Sequence, residues 1–205
     1  MGKDFETRLQ AEVSADPEQV WRAIATGPGI TAWFVGHTEI TDDTVRTKLG
    51  GTALPAAPIS ATQPGHRFAY ASEPGPDGRF IAYEYLIEGR DHSATVLRSV
   101  TSGFLPGDDW EQEYEAMTYG TELFFWTLVE YLRHFPGRRA TTCTTFGPAN
   151  DDWDASHAVA GSVYFRNPHT LGVRTADGLH RYVRGLHGSM VISRSLFDPA
   201  QGATS

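Results

Sequence analysis

The chain has 205 residues, 40% hydrophobic and 20% charged, which suits one domain with an appendage and is too apolar for a disordered protein. It carries 17 basic and 25 acidic residues, and this net charge of −8 argues against a nucleic-acid-binding or anionic-membrane surface. Residues 1–139 contain 12 basic and 20 acidic groups, whereas residues 140–205 contain five of each. This change in charge near residue 139 predicts that the chain has two unequal parts.

A single cysteine, Cys143, excludes an internal disulfide and a cysteine-rich zinc site, and we expect it to be buried in a strand. The N-terminus has no apolar signal core, and no run approaches the roughly 18 apolar residues of a spanning helix. The sequence therefore predicts a cytoplasmic protein without a membrane span.

The first elements along the chain are one strand and two short helices. Residues 4–13 alternate as a strand does, with Phe5 and Val13 on the same face. Asp16 followed by Pro17 is typical of a helix start, and a second short helix carries Trp33.

Alternating residues and turn signals predict an antiparallel meander from position 37 to 104. Its strands are expected at 37–40, 44–49, 57–62, 66–72, 79–88 and 93–103. In the fifth of these, Ile81, Tyr83 and Tyr85 share one face, while the other face is mixed. The sheet is therefore predicted to be half buried.

A long helix is predicted over 108–135, because large apolar residues recur there at steps of three and four. Acidic residues crowd its start and Arg133 and His134 lie at its end, as the helix dipole favours. Pro136 and Gly137 end it.

The remaining residues are again β-rich, with strands predicted at 140–145, 160–166, 170–175, 179–185 and 189–196. A faint internal repeat relates two sets of segments. Residues 59–64, 68–70 and 77–79 match residues 163–168, 171–173 and 177–179 in that order. The alternative is chance, because proline, Asp-Gly and strand residues recur in any β protein.

Three motifs resemble the START/SRPBCC helix-grip superfamily, in the branch of the activators of the heat-shock protein 90 ATPase. They are residues 16–24 with Trp33-Phe34, residues 102–104 with 108–111, and Tyr119-Gly120 opening the run to Phe135. The resemblance covers about residues 5–135, with Thr121 where the family often has an aromatic residue and a poor match over 42–58. Residues 171–178 resemble a C-terminal extension of actinobacterial members.

This resemblance implies an α+β fold in which a curved antiparallel sheet wraps around a long C-terminal helix. Residues 1–136 would form the helix-grip domain, and 137–205 a β-rich extension that docks on the first domain or on a second subunit as a homodimer contact. The superfamily includes lipid carriers, cyclases and chaperone regulators, so the fold does not specify the chemistry.

No catalytic or metal-binding signature is present in the sequence. The eight histidines form no helical i, i+4 pair, the His187-Gly188-Ser189 cluster lacks an orienting acid, and the acidic residues near Trp153 lack the rest of a calcium loop. We therefore predict no catalytic residue, no metal and no cofactor.

A more specific hypothesis is that a ligand binds in a cavity between the sheet and the long helix. Its candidate lining residues are Trp33, Tyr83, Tyr85, Arg98, Met117, Thr121, Phe124, Phe125 and Leu128. Arg98 and Glu84 are the charged groups expected to point inward. Alternatively, the aromatic residues pack a closed core and Arg98 faces solvent.

Three functions follow from these features. The first is non-catalytic binding of a small hydrophobic or amphipathic ligand, such as a lipid. The second is a polyketide cyclase/aromatase-type enzyme, and the third is a chaperone-interaction module. The absence of a reactive constellation favours the first.

Overall fold

The computed structural model describes residues 2–90, 94–107, 110–148, 159–185 and 188–198, without the side chains of Arg90, Ala94 and Trp110. This part of the chain forms two antiparallel sheets and three helices, an α+β architecture. The helices are α1 (Pro17–Ala25), α2 (Gly27–Trp33) and α3 (Trp110–His134). The first sheet contains β1 (Lys3–Val13), β2 (His37–Thr41), β3 (Thr44–Leu49), β4 (Thr52–Ala53), β5 (Ala57–Gln63), β6 (Arg67–Ala71), β7 (Phe80–Arg90) and β8 (Ala94–Leu105). The second contains β9 (Ala140–Pro148), β10 (Ser162–Arg166), β11 (Thr170–Arg174), β12 (Gly178–Arg184) and β13 (Ser189–Phe197).

The first sheet has the strand order β1-β8-β7-β6-β5-β3-β2, and β4 pairs with β3. Each pairing is antiparallel, so β5 to β8 form the meander that the alternating pattern predicts. Strand β4 is not among the predicted strands, because two residues are too few to show a period.

Side-chain caps define the two short helices. Asp16 and Gln19 form a capping box at the start of α1, with Asp16 Oδ1 accepting from the Gln19 backbone N–H at 2.8 Å. Thr26 is extended and separates the helices, donating its hydroxyl to the Arg22 carbonyl and accepting from the Gly29 N–H. The indole N–H of Trp33 donates to the Ala23 carbonyl at 2.9 Å, which fixes α2 against α1.

The long helix α3 spans most of the predicted range 108–135, although residues 108 and 109 lie outside the described part. It is not C-terminal, as the resemblance implied, but lies in mid-chain and is followed by five more strands. It contacts β1 and β8 of the first sheet and β10, β11 and β12 of the second. Both sheets therefore bury surface of the same helix.

The main hydrophobic core lies between the first sheet and the three helices. Trp33, Leu97 and Leu128 are at most 1% exposed within it. Burial of a side chain of this size contributes roughly 1.5–3 kcal/mol, so these residues hold the helices on the sheet.

The second sheet has the order β10-β11-β12-β13-β9. In the first sheet, β5-β6-β7-β8-β1 follow one another in the same way. The first hairpin of each series also carries a bulge: the pairing skips Ser60 in β5 and Tyr164 in β10. These two residues occupy the same position in the sequence repeat. The second sheet thus has the strand order and the bulge of one part of the first.

Some predictions about single residues are corrected or lie outside the described residues. Cys143 is exposed on β9 rather than buried, because its side chain lies on the face of the second sheet that carries its pairing partner Arg194, away from α2. The Asp residues near Trp153 and three histidines, His92, His157 and His187, are not described. None of the helices formed by the described residues is long and apolar enough to cross a membrane.

Candidate functional site

A cavity of about 200 Å³ lies between the first sheet and α3. Strand alternation on β7 and β8 and three- and four-residue steps on α3 direct side chains into it. Its lining consists of Trp33, Phe34, Val35, Leu54, Ile81, Tyr83, Tyr85, Ser99, Thr101, Ala116, Met117, Gly120, Thr121, Phe124 and Phe125.

Seven of the nine predicted lining residues border this cavity. They are Trp33, Tyr83, Tyr85, Met117, Thr121, Phe124 and Phe125. Leu128 does not line it but is completely buried in the closed core next to it.

The prediction that Arg98 points into the cavity is wrong. Its guanidinium donates to Gln10 Oε1 at 2.8 Å and to Glu88 Oε1 at 2.6 Å. Arg98 thus lies on the face of β8 opposite to Ser99, which lines the cavity. Glu84 likewise does not line the cavity but accepts from Arg67 at 2.5 Å.

The other lining residues were not predicted, and they differ in whether a sequence pattern could have identified them. Ile81, Ser99 and Thr101 follow from strand alternation with Tyr83 and Tyr85 across the β7–β8 pairing. Phe34, Val35 and Leu54 lie outside helices and strands, where no period exists. Ala116 and Gly120 are small and not aromatic, so the pattern of aromatic residues that indicates the cavity does not include them.

Six aromatic residues line the cavity, and several of their rings pack against one another. The ring centroids of Phe34 and Phe124 are 5.1 Å apart, and those of Trp33 and Tyr85 are 6.0 Å apart. Separations of this kind favour edge-to-face and tilted pairs, so the rings stabilise one another.

The polar groups of the wall are hydroxyls. Burial raises the pKa of Tyr83 to about 12. Burial also raises the pKa of Tyr85, and the neighbouring Tyr83 adds to this effect. Both phenols are therefore neutral at physiological pH, as are Ser99 and Thr101. The described wall can hold an apolar molecule and hydrogen-bond to it, and it holds no group that is ionised at neutral pH.

No His, Cys, Asp or Glu side chains within the described ranges come together as a group of three that could hold a metal ion. Two histidines of the second part of the chain have separate surroundings. His169 stacks on Tyr119, and His180 lies on β12.

Comparison with solved structures places this architecture among known folds. The di-domain ARO/CYC protein BexL from the BE-7585A biosynthetic pathway matches with a TM-score of 0.54 and 10% identity, covering 95% of this chain and 85% of its own. DynU16, a putative protein of the dynemicin biosynthetic locus, matches with a TM-score of 0.51 and 16% identity over 93% and 86% of the two chains. The Aha1 dimer from Colwellia psychrerythraea matches with a TM-score of 0.50 and 16% identity, over 63% of this chain and 96% of that one.

The chain shares the helix-grip fold of these three proteins. No protein-family model matches its sequence, and no curated protein does either. The helix-grip fold leaves room for a cavity beneath its long helix, which is where the aromatic wall of this chain lies.

Proposed function

We propose that the protein binds a small hydrophobic or amphipathic molecule in the cavity beneath α3. The observation that supports this proposal is the cavity wall, in which aromatic rings surround a few neutral hydroxyls. Binding sites for small molecules are mostly apolar with a few polar groups that fix orientation, and this wall has that composition. The ligand would gain its affinity from apolar burial, at roughly 25 cal/mol per Å².

The cavity volume limits the ligand. Drug-sized ligands occupy pockets of about 300–1,000 Å³, whereas this cavity measures about 200 Å³. A molecule of one or two rings, or a short acyl chain, therefore suits the cavity in the conformation described.

A cyclase/aromatase-type enzyme is the second candidate, and the similarity to BexL over 95% of the chain favours it. In such an enzyme, confinement of a flexible polyketone would bring its reacting carbons together. Tyr83 and Tyr85 would hydrogen-bond to ligand carbonyls as neutral donors, because their raised pKa values oppose ionisation.

Regulation of a chaperone ATPase is supported less directly. The similarity to the Aha1 dimer covers 63% of the chain, and such a function would use a surface rather than the cavity. We further propose self-association as a homodimer through the extension, residues 137–205, and a cytoplasmic location.

We also propose a division into a helix-grip domain, residues 1–136, and an extension, residues 137–205, that is a partial copy of the first sheet. The shared strand order and the matching bulges at Ser60 and Tyr164 support this division. The extension contacts α2 and α3 through β9 to β13, so it would dock on the domain that precedes it.

Substitution of Gly120 tests the binding proposal. Gly120 lines the cavity, and a Cβ added there meets no atom within 4 Å. We expect Gly120→Phe to fill the cavity and Gly120→Ala, which removes the same helix glycine, to leave most of it open. The probe is 1-aminonaphthalene, a neutral two-ring dye whose fluorescence changes in apolar sites.

Wild type and Gly120→Ala should bind the dye with similar affinity, and Gly120→Phe should bind it at least tenfold more weakly. Native mass spectrometry of gently purified protein would identify any molecule that the cavity retains. If Gly120→Phe and Gly120→Ala bind the dye equally well, the cavity is not the binding site and the proposal is wrong.

A further inference from the structure

A second cavity of about 160 Å³ adjoins the first. The two share four lining residues, Phe34, Leu54, Ile81 and Tyr83. Beyond them, the second cavity is bordered by Val45 on β3, Ala57 on β5 and Tyr70 on β6. We call the cavity beneath α3 the inner chamber and the second cavity the outer chamber.

The two chambers lie side by side across the first sheet. The inner chamber lies on β7 and β8, and the outer chamber on β3, β5, β6 and β7. These strands follow one another in the sheet as β8-β7-β6-β5-β3. Since neighbouring strands are about 4.8 Å apart, the two chambers together extend over roughly 19 Å.

Phe34 forms the boundary between the chambers. Its ring centroid lies 6.0 Å from that of Tyr83 and 5.1 Å from that of Phe124, so it stands between the sheet and α3. The backbone N–H of Phe34 donates to the Ile30 carbonyl at 2.9 Å, which anchors its main chain at the end of α2. The ring is half-buried and follows the last residue of α2, so a change of its rotamer would leave the helix in place.

We propose that Phe34 is the specificity-determining residue of this site and sets the length of the ligand. With the ring in its present position, the inner chamber admits a compact ligand. Rotation of the ring joins the chambers and admits an elongated, largely apolar molecule that spans both. This inference rests on the proposed ligand-binding function and deepens it.

Two neutral probes of different length test this role. 1-Aminonaphthalene has two rings and is compact, whereas 1,6-diphenyl-1,3,5-hexatriene is a rigid rod that exceeds the inner chamber. The variants are Phe34→Ala, which removes the boundary, and Phe34→Trp, which enlarges it. The control is Met117→Ala, which enlarges the inner chamber only, since Met117 does not border the outer one.

We expect Phe34→Ala to bind the rod at least tenfold more tightly than wild type while its affinity for the compact dye changes less than threefold. Phe34→Trp should bind the rod more weakly, and Met117→Ala should change only the affinity for the compact dye. Phe34→Leu serves as a milder variant if Phe34→Ala does not fold.

The outcomes separate the two proposals. If the compact dye binds but rod affinity is the same in wild type, Phe34→Ala and Phe34→Leu, the role of Phe34 is overturned and ligand binding stands. If neither wild type nor Met117→Ala binds either probe, ligand binding itself is overturned, and the role of Phe34 with it.

Discussion

The hydroxyl of Tyr164 lies 2.8 Å from Oγ1 of Thr127 and connects the bulge of the second sheet to the middle of α3. The ring of Tyr164 lies over Gly172, where an added Cβ would come within 2.4 Å of it. Burial raises the pKa of Tyr164 to about 12, so the phenol stays protonated. A specific polar contact thus accompanies the apolar contacts between the second sheet and the helix.

Removal of this contact should cost a small, measurable free energy. We expect Tyr164→Phe to lower the free energy of unfolding by about 1 kcal/mol, the usual net contribution of one hydrogen bond. Thr127 retains its bond to the Leu123 carbonyl, at 2.7 Å, so no second group is left unpaired. Urea unfolding measures the coupling energy between the two side chains from Tyr164→Phe, Thr127→Val and the double variant. If the two losses of stability add up in the double variant, the contact contributes nothing.

A second prediction concerns Arg181, which is completely buried on β12. Its Nη2 donates to Ser193 and Ser195 at 2.8 and 2.9 Å, while Nε and Nη1 have no partner in the part of the chain that the structure describes. Burial lowers its pKa to about 10, and it forms no ion pair among the described residues. A buried cation without a counter-charge is costly.

We therefore expect Arg181→Met to unfold at the same or a higher urea concentration than wild type, because it removes a buried charge that has no counter-charge. Arg181→Ala, which leaves a cavity, should instead be less stable than Arg181→Met by about 2 kcal/mol or more. Marked destabilisation by the methionine variant would mean that the guanidinium contributes more than its two visible hydrogen bonds.

Regular spacing explains why much of the fold and site could be predicted from the sequence. Period-two alternation located β7 with its inward tyrosines, and steps of three and four located α3. Arg98 was misplaced because Val96 and Leu97 are both buried, on opposite faces of β8. Where both faces are covered, alternation does not tell which one faces the cavity.

Long-range packing accounts for the other misses. Phe34 and Leu54 reach the cavity from loops, and their positions depend on how α2 and β4 fold back on the sheet. Charged residues are rarely buried without a partner, so no pattern predicts the burial of Arg181.

A third prediction compares two buried phenols. The hydroxyl of Tyr70 is buried and has no hydrogen-bond partner within the described ranges. That of Tyr131 accepts from the Gly137 N–H at 3.1 Å and donates to the Arg138 carbonyl. Tyr70→Phe should leave stability unchanged or raise it, because it removes an unpaired polar group. Tyr131→Phe, the matched control, should lower the free energy of unfolding by about 1–2 kcal/mol in urea titrations. Equal losses in the two variants would contradict this expectation.

A fourth prediction concerns pH. His180 is 6% exposed, and burial, with Arg194 and Arg181 nearby, lowers its pKa, which Asp177 opposes only in part. The unfolded chain then binds a proton at higher pH than the folded chain. The contribution of neutral His180 to the free energy of unfolding is fully present above the ordinary histidine pKa of about 6.5. It is lost as the pH falls toward the pKa of His180 in the folded protein.

Urea unfolding at pH 7.5 and pH 5 should therefore show lower stability at pH 5, by at most about 1.4 kcal/mol per unit by which the pKa is lowered. His134, whose pKa is also lowered, contributes in the same direction. His180→Gln should lose less stability over this interval than wild type. An identical loss in both proteins would assign the pH dependence to other groups.

A fifth prediction separates the closed core from the cavity along α3. Leu128 is completely buried and borders neither chamber, whereas Gly120, two turns earlier, has open space beside it. Leu128→Trp should therefore overpack the core and cost at least about 1–3 kcal/mol. Gly120→Phe should cost little, because the added ring enters empty volume and a helix glycine is removed. Circular dichroism during urea unfolding measures both without interference from the new tryptophan. If Leu128→Trp unfolds at the same urea concentration as wild type, the cavity must extend along α3 to position 128, and the boundary between core and cavity would have to move by two helical turns.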